Sequence, residues 1–323
     1  MIQHVKIQSF HDLVTFAESS ETTRRLSYIY RGIGNYAYSL QSSIEWRTSE
    51  QEDWQRTLIQ KTTLSQFIRN ARAFDPTIVS NWSDPIEVMA AMQHYGGITR
   101  LVDFSYSPFI ALYFACNDPA GVPSPIIWGL NTNLLKKRLA EIEGANPDRH
   151  TELEAHLKYY QDYIFPAENQ IKRSSPWFSD YFYKQFLLST AIHKKPFPID
   201  AAIVHLEPFL RNKRIQMQQG CFALNLRNDL SFIDCLAQMF DSQLSLEPEK
   251  KPKIADLPPL TELSQNALED TVLLAAHIDP QSLKKITYLL GSCNLRTVSL
   301  FPDIPGILSS LQNHIPRRYP QGG

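Results

Sequence analysis

The chain has no GxxxxGK[ST] phosphate loop and no GxSxG elbow. Gly32-Ile33-Gly34 lacks the remainder of a GxGxxG fingerprint. It therefore carries none of the short signatures by which phosphate-loop, dinucleotide-fold or serine-hydrolase chemistry is read. CxxC and HExxH are also missing, and no two histidines stand at ligand spacing, so neither structural nor catalytic zinc is expected. Cysteine is scarce: Cys116, Cys221, Cys235 and Cys293 lie far apart in apolar contexts and read as buried free thiols of a reducing compartment. Neither charge sign dominates. A net charge of -1 gives no global field toward nucleic acid or anionic membrane. The clusters Lys136-Lys137-Arg138, Lys194-Lys195 and Arg211–Arg214 read as solvated faces. MIQHVKIQSF lacks the apolar run of a signal peptide, and no segment reaches the roughly 18 apolar residues of a membrane span. The expectation is a cytoplasmic protein with no membrane partner.

A chain of 323 residues, 43% hydrophobic and 20% charged, can bury a large core. Its densest stretch is Gln93–Ala115, QHYGGITRLVDFSYSPFIALYFA. Gly96-Gly97 permits a turn that approaches a ligand. Ile98–Phe104 reads as a short buried strand carrying Thr99, Arg100 and Asp103. Ser107-Pro108 is a helix start, and Phe109–Cys116 a helix apolar on nearly every side, hence interior.

Upstream, Ser9–Glu18 reads as a short helix, and Leu26–Tyr30 as a strand that delivers Arg31 at its end beside Gly32. Gln51–Ala71 is a long amphipathic helix, and Asp84-Pro85 starts another that leads into His94-Tyr95. Downstream, Pro125–Leu130 reads as a strand. A helical hairpin inserted within 131–195 follows, with Thr151 and Glu154 as a capping box. The aromatics of Trp177–Phe186 are expected to pack inward. Asp200–Leu206 is a strand, Gly220 marks a turn into another, and Ser231–Phe240 is a helix. Residues 245–260 read as a flexible connection, Thr297–Leu300 as a strand, and Ile304 onward as a helix. The expectation is one domain over 1–323 of mixed α/β (α+β) class, a central mixed sheet flanked by helices.

Four segments carry a family resemblance: YRGIGNYAYSLQSSIEWR, the QHYG…TRL…D…SP…ALYFA block, RIQMQQGCF at 214–222 and LFPDIPGI at 300–307. Together they resemble the FRG domain, a bacterial family named for a Phe/Tyr-Arg-Gly motif, over most of the chain. The order Arg31, then Thr99/Asp103/Ser105, then Gln218-Gln219-Gly220 is also similar to the arginine-class ADP-ribosyltransferases. In those enzymes an early arginine holds NAD, and a late Glu activates the reaction. Here the late position is Gln, with no carboxylate between Glu207 and Asp229. The resemblance implies a nucleotide-acting enzyme with NAD as substrate, by ADP-ribosyl transfer or hydrolysis, and a bacterial or phage toxin or antiphage defence role. Arg31, Asp103, His94 and Gln219 are then its catalytic candidates. Tyr30, Gly32, Tyr95, Thr99, Arg100, Ser105, Arg214 and Gln218 are its substrate-binding candidates. The alternative function is a non-catalytic recognition module for a nucleotide, nucleic acid or protein partner. On a purely structural reading Asp103 pairs with Arg100 or Arg31, and His94 is a satisfied core residue.

Overall fold

In the computed structural model, residues 2–22, 28–36, 38–79, 82, 84–117, 124–145, 148–159, 179–190, 198–207, 213–241 and 252–312 are described. β1 (Ile2–Ile7) and α1 (Phe10–Thr22) lead to β2 (Tyr28–Ile33), then α2 (Ser43–Arg47), α3 (Asp53–Phe74) and α4 (Pro85–His94). β3 (Leu101–Ser105), α5 (Pro108–Asn117) and β4 (Ile126–Asn131) follow, then α6 (Thr132–Gly144), α7 (Arg149–Tyr159) and α8 (Asp180–Ser189). β5 (Ile203–Leu206), α9 (Lys213–Met217), β6 (Gly220–Asn225) and α10 (Phe232–Met239) precede α11 (Gln265–Glu269) and β7 (Leu273–Ile278). α12 (Leu283–Ser292), α13 (Thr297–Leu300) and α14 (Ile304–Gln312) complete the described order. The seven strands form one mixed sheet in the order β1-β7-β4-β2-β3-β6-β5. Only β1 and β7 are parallel neighbours; the other pairs are antiparallel. The expected mixed α/β class is what the chain adopts.

Because side chains alternate along a strand, the sheet's two faces can be followed residue by residue. On one face Ile29, Phe104, Trp128 and Ala223 pack with Leu135 of α6 and Phe232 and Leu236 of α10. The opposite face is covered in two halves. Tyr28, Tyr30, Ile127 and Leu274 lie under α1, α5 and α12, through Leu13, Ile110, Leu112 and Ile286. Leu101, Val204, Phe222 and Leu224 lie under α3, α4 and α8, through Leu64, Met89 and Phe186. The division falls between β2 and β3, which share one registered pair, Tyr30 with Ser105. β2 is otherwise fully paired to β4, and β3 to β6. Beyond that pair β2 and β3 splay apart, leaving a seam in the sheet.

Several local expectations hold at the level of hydrogen bonds. Asp84 caps α4 by accepting from the Ile86 amide, at 2.9 Å. Ser231 accepts from Asp234 at 3.0 Å to start α10. Tyr181, Phe182, Tyr183 and Phe186 of α8 are buried, as the aromatic pattern implied.

Others are corrected. β1 and β7 were not foreseen. The β2 strand runs through Arg31 and Gly32 to Ile33 rather than ending before them, and β3 begins at Leu101, after Thr99 and Arg100. α7 starts at Arg149, so Thr151 is inside the helix and not its cap. Thr297–Leu300 is a helical turn, despite two β-branched residues. Ser299 Oγ accepts the Arg296 amide at 3.0 Å, and the Tyr113 and Thr297 hydroxyls share a 2.7 Å hydrogen bond. Residues 252–260, expected within a flexible connection, run along β1. The Lys6 amide donates to Pro258 O at 2.9 Å, Lys6 Nζ donates to Ala255 O at 3.0 Å, and Leu260 is buried. Cys293 is exposed, unlike Cys221 and Cys235. Leu26 of the expected strand, residues 160–178 and 191–195 of the expected insertion, and 245–251 of the expected connection lie outside the described residues.

Candidate functional site: a cleft at the sheet seam

The Tyr-Arg-Gly triplet explains itself in β2. Tyr30 and Gly32 face α5, and Arg31 is in register with Trp128 on the other side. A Cβ on Gly32 would lie 1.8 Å from the Ala111 carbonyl oxygen and 2.7 Å from the Ala115 amide nitrogen. Glycine is therefore what lets the α5 backbone lie directly on β2, and its role is packing as much as site lining. Burial pushes the Tyr30 hydroxyl well above the usual phenol range, so it stays protonated.

Arg31 stands where ladder bonds between β2 and β3 are missing. Its Nη1 donates to the Asp103 carbonyl oxygen at 2.9 Å and lies 3.7 Å from Asp103 Oδ2. Its Nε is buried without an acceptor. The Asp103 side chain is 61% exposed, so this pair is open to water on its acidic side and is worth little as a salt bridge.

Around the pair lies a cleft of about 230 Å³ whose walls include Tyr30, Asp103, Ser105, Gln93, His94, Phe114, Arg214 and Gln218. Among the described residues Asp103 is the one lining carboxylate, against the guanidiniums of Arg31 and Arg214. Ser105 Oγ donates to Gln218 O at 2.7 Å and accepts from the Ser107 amide at 3.0 Å, tying the end of β3 to the turn before β6. Gln218 Nε2 donates to Leu300 O at 3.0 Å, and the Arg214 guanidinium stacks 4.5 Å from the centroid of Phe301. One rim of the cleft is thus built by residues far downstream.

His94 closes α4. The helix ends in a Schellman turn: the Gly97 amide donates to Met92 O at 2.8 Å and the Gly96 amide to Gln93 O at 3.0 Å. Gly96 has φ 83°, a left-handed conformation that suits glycine. The Gly-Gly pair is thus a helix cap that sets where His94 ends up. The imidazole Nδ1 is buried with no partner. Burial, then the Arg214 charge, lowers the His94 pKa, with Asp303 acting the other way; the ring is neutral at pH 7.

Not every candidate reaches this cleft. Arg100 is buried in the helical layer on α8's side, donating to Ser189 Oγ and to Asn225 O, each at 2.7 Å. Burial lowers it to about 10, partly offset by Glu45, and it remains charged at neutral pH. Thr99 is also buried. Its hydroxyl donates to Gln93 Oε1 and accepts from the Leu101 amide at 3.1 Å, so it holds Gln93 rather than a ligand. Gln219 takes φ 46° in the turn and is exposed outside the cleft, while its carbonyl accepts from the Tyr106 amide at 3.0 Å. Tyr95 is 63% exposed and lines a separate groove with Phe67, Phe74 and Ile98. Gln93 and Phe114 were not foreseen; both lie within the stretch that organises the sequence, at helix positions that read as core.

The fold and site define a mixed α/β protein whose sheet opens at a seam into a cationic, half-enclosed cleft. Residues 26–122, a stretch that contains β2 to α5, match the family described as the FRG domain. The match does not extend to Arg214, Gln218 or the 300–307 segment, where a wider resemblance had been expected. No curated protein and no solved structure matches the chain. Among the described residues no helix is long and apolar enough to cross a membrane, and no cluster of three or more His, Cys, Asp or Glu is arranged to hold a metal ion.

Proposed function

We propose that the seam cleft binds a phosphate-bearing, nucleotide-type small molecule and that the reaction carried out there is cleavage or transfer at the N-glycosidic bond of NAD. The observation that carries the reading is an unspent set of polar groups in one cavity. The buried Arg31 Nε has no acceptor, the buried His94 Nδ1 has no partner, and Arg214 lines the same walls. Buried polar atoms are rarely left unpaired without a reason, and an anionic ligand supplies the acceptor for the guanidinium. In this reading Arg31 and Arg214 hold phosphate oxygens. Asp103 stands against the ribose and stabilises the positive charge that develops at C1′ as nicotinamide departs with the bonding electrons. Water or an acceptor nucleophile then bonds to C1′ and yields its proton to neutral His94.

The test is nicotinamide release from NAD, run beside calorimetric binding of ADP-ribose. Turnover that falls at least about 100-fold in Asp103→Asn, with ADP-ribose still bound, supports the enzyme. Binding without turnover in the unaltered protein leaves a nucleotide-recognition module. That second reading is favoured by Gln219, which stands outside the cleft where the transferase-like order would place an acid. Absence of both overturns the proposal. An active enzyme would lower cellular NAD when expressed, the measurable route to the toxin or defence role.

A further inference from the structure

A second cleft of about 580 Å³ adjoins the first and shares Arg31, Gly32, Gln93 and Asp103 with it, so the Arg31–Asp103 pair stands between the two. Its far side is of another character. Tyr38 and Trp46 line it at 43% and 56% exposure, together with the bare backbone of Gly96 and Gly97. A Cβ at Gly96 would meet nothing within 4 Å, so the cap that ends α4 faces open space. Trp46 is fixed in place by its helix. Ser42 and Glu45 cap α2 reciprocally, and the Ile44 amide donates to Thr99 O at 3.1 Å. The Arg47 guanidinium lies 5.1 Å from the Trp46 ring centroid, which backs the indole with a cation and leaves more than half of the residue open.

Two large aromatic side chains exposed at the mouth of a cavity, beside a glycine turn with no side chains to block approach, make a stacking platform for a flat ring. The neighbouring guanidinium fixes what that ring would be attached to. We infer that Trp46 and Tyr38 form a subsite for a nucleobase-like heteroaromatic ring whose phosphate is held at Arg31 in the adjoining cleft. The inference rests on the phosphate reading of the seam and adds to it the place of the base: a ring stacked on Trp46 and Tyr38 while Arg31 holds the phosphate. The first cleft, at about 230 Å³, is smaller than the roughly 300–1,000 Å³ typical of small-molecule sites, and the second, at about 580 Å³, lies within that range.

The experiment compares AMP with ribose 5-phosphate by calorimetry on the full chain, in the unaltered protein and in Trp46→Ala, Trp46→Phe and Tyr38→Ala. AMP is expected to bind roughly tenfold or more tightly than ribose 5-phosphate, the scale of one base–aromatic stack. Trp46→Ala should erase that advantage while leaving ribose 5-phosphate affinity unchanged, and Trp46→Phe should keep most of it. Tyr38→Ala should reduce it in part. Circular dichroism confirms that each variant folds, as an exposed position predicts. Equal affinity for the two probes, an AMP advantage indifferent to Trp46→Ala, or equal weakening of both probes by that variant overturns the stacking subsite and leaves the phosphate reading intact. No binding of either probe overturns both.

Discussion

Two arginines flank the seam, and the molecule uses them oppositely. Arg100 is sealed: both terminal nitrogens have acceptors, Phe186 lies 5.9 Å beneath the guanidinium, and burial pulls its pKa down to about 10. Arg31 keeps 27% of its side chain open and one buried nitrogen without an acceptor. The first is a structural cation whose value is measured in folding. The second has bonding capacity left over, and that surplus, not its charge, is what the proposed phosphate role rests on. A guanidinium near an acid in sequence is thus not informative until one knows how many of its donors are already used.

Five substitutions, one of them read through a pH titration, would break or sharpen that contrast. The largest effect is expected on the packed side of the triplet. Gly32→Ala drives a methyl into the α5 backbone, and chemical denaturation should show a loss above about 4 kcal/mol or failure to fold, because backbone atoms cannot step aside as a flexible side chain can. Arg100→Leu removes the hydrogen bonds to Ser189 and Asn225 and leaves Glu45, itself pushed up by burial, without its nearby cation. About 3 kcal/mol of stability should go, and ligand affinity per folded molecule should not change.

A pH titration probes a second sealed group. His205 is buried against Tyr106, whose hydroxyl also donates to Glu207, and burial holds its pKa at about 4, with Glu207 opposing and Lys136 assisting. The unfolded chain binds that proton near pH 6.5 and the folded one only near 4, so stability is full above the upper value and lost as pH falls through the window. The loss amounts to about 3 kcal/mol, and His205→Gln should flatten that part of the curve.

At the seam itself, Arg31→Lys keeps the charge but loses the fork and the Nε donor. AMP or ADP-ribose affinity should fall about tenfold to a hundredfold, while stability changes by about 1 kcal/mol or less. The smallest effect is expected at Gln219. Gln219→Gly relieves a left-handed residue, so stability should rise by up to about 1 kcal/mol with binding and turnover unaltered. Loss of turnover in that variant would restore the late-position Gln to the chemistry.

Much of the seam was legible in the sequence because its parts announce themselves locally. Asp84-Pro85 and Ser107-Pro108 start helices by capping, and the run up to Tyr30 marks a strand, although that strand continues through Arg31 and Gly32 to Ile33. What was hidden is what only the folded chain decides. β1 and β7 pair in parallel with each other across nearly the whole sequence, Ile2 with Leu273 through Ile7 with Ile278. Neither QHVK nor LLAAH shows the β-branched alternation that would mark a strand on its own. Starting β3 at Leu101 rather than Ile98 released Thr99 and Arg100 from strand alternation, and Arg100 went to the core beneath α8. Gln219 was misplaced because its left-handed turn swings it away from Gln218, one residue before it. Trp46 sat in plain view within YRGIGNYAYSLQSSIEWR, but no local rule separates an indole that stacks on a ligand from one that packs in a core.

The Arg31 guanidinium bridges, through Nη1, a gap that backbone would ordinarily close, and keeps Nε spare for the proposed ligand. Phosphate at Nε would leave the Nη1 bond to Asp103 O in place, so binding would tighten the join between β2 and β3. Amide exchange around Ile33 and Val102 should then slow when AMP binds, a local sign of occupancy that needs no helix to move.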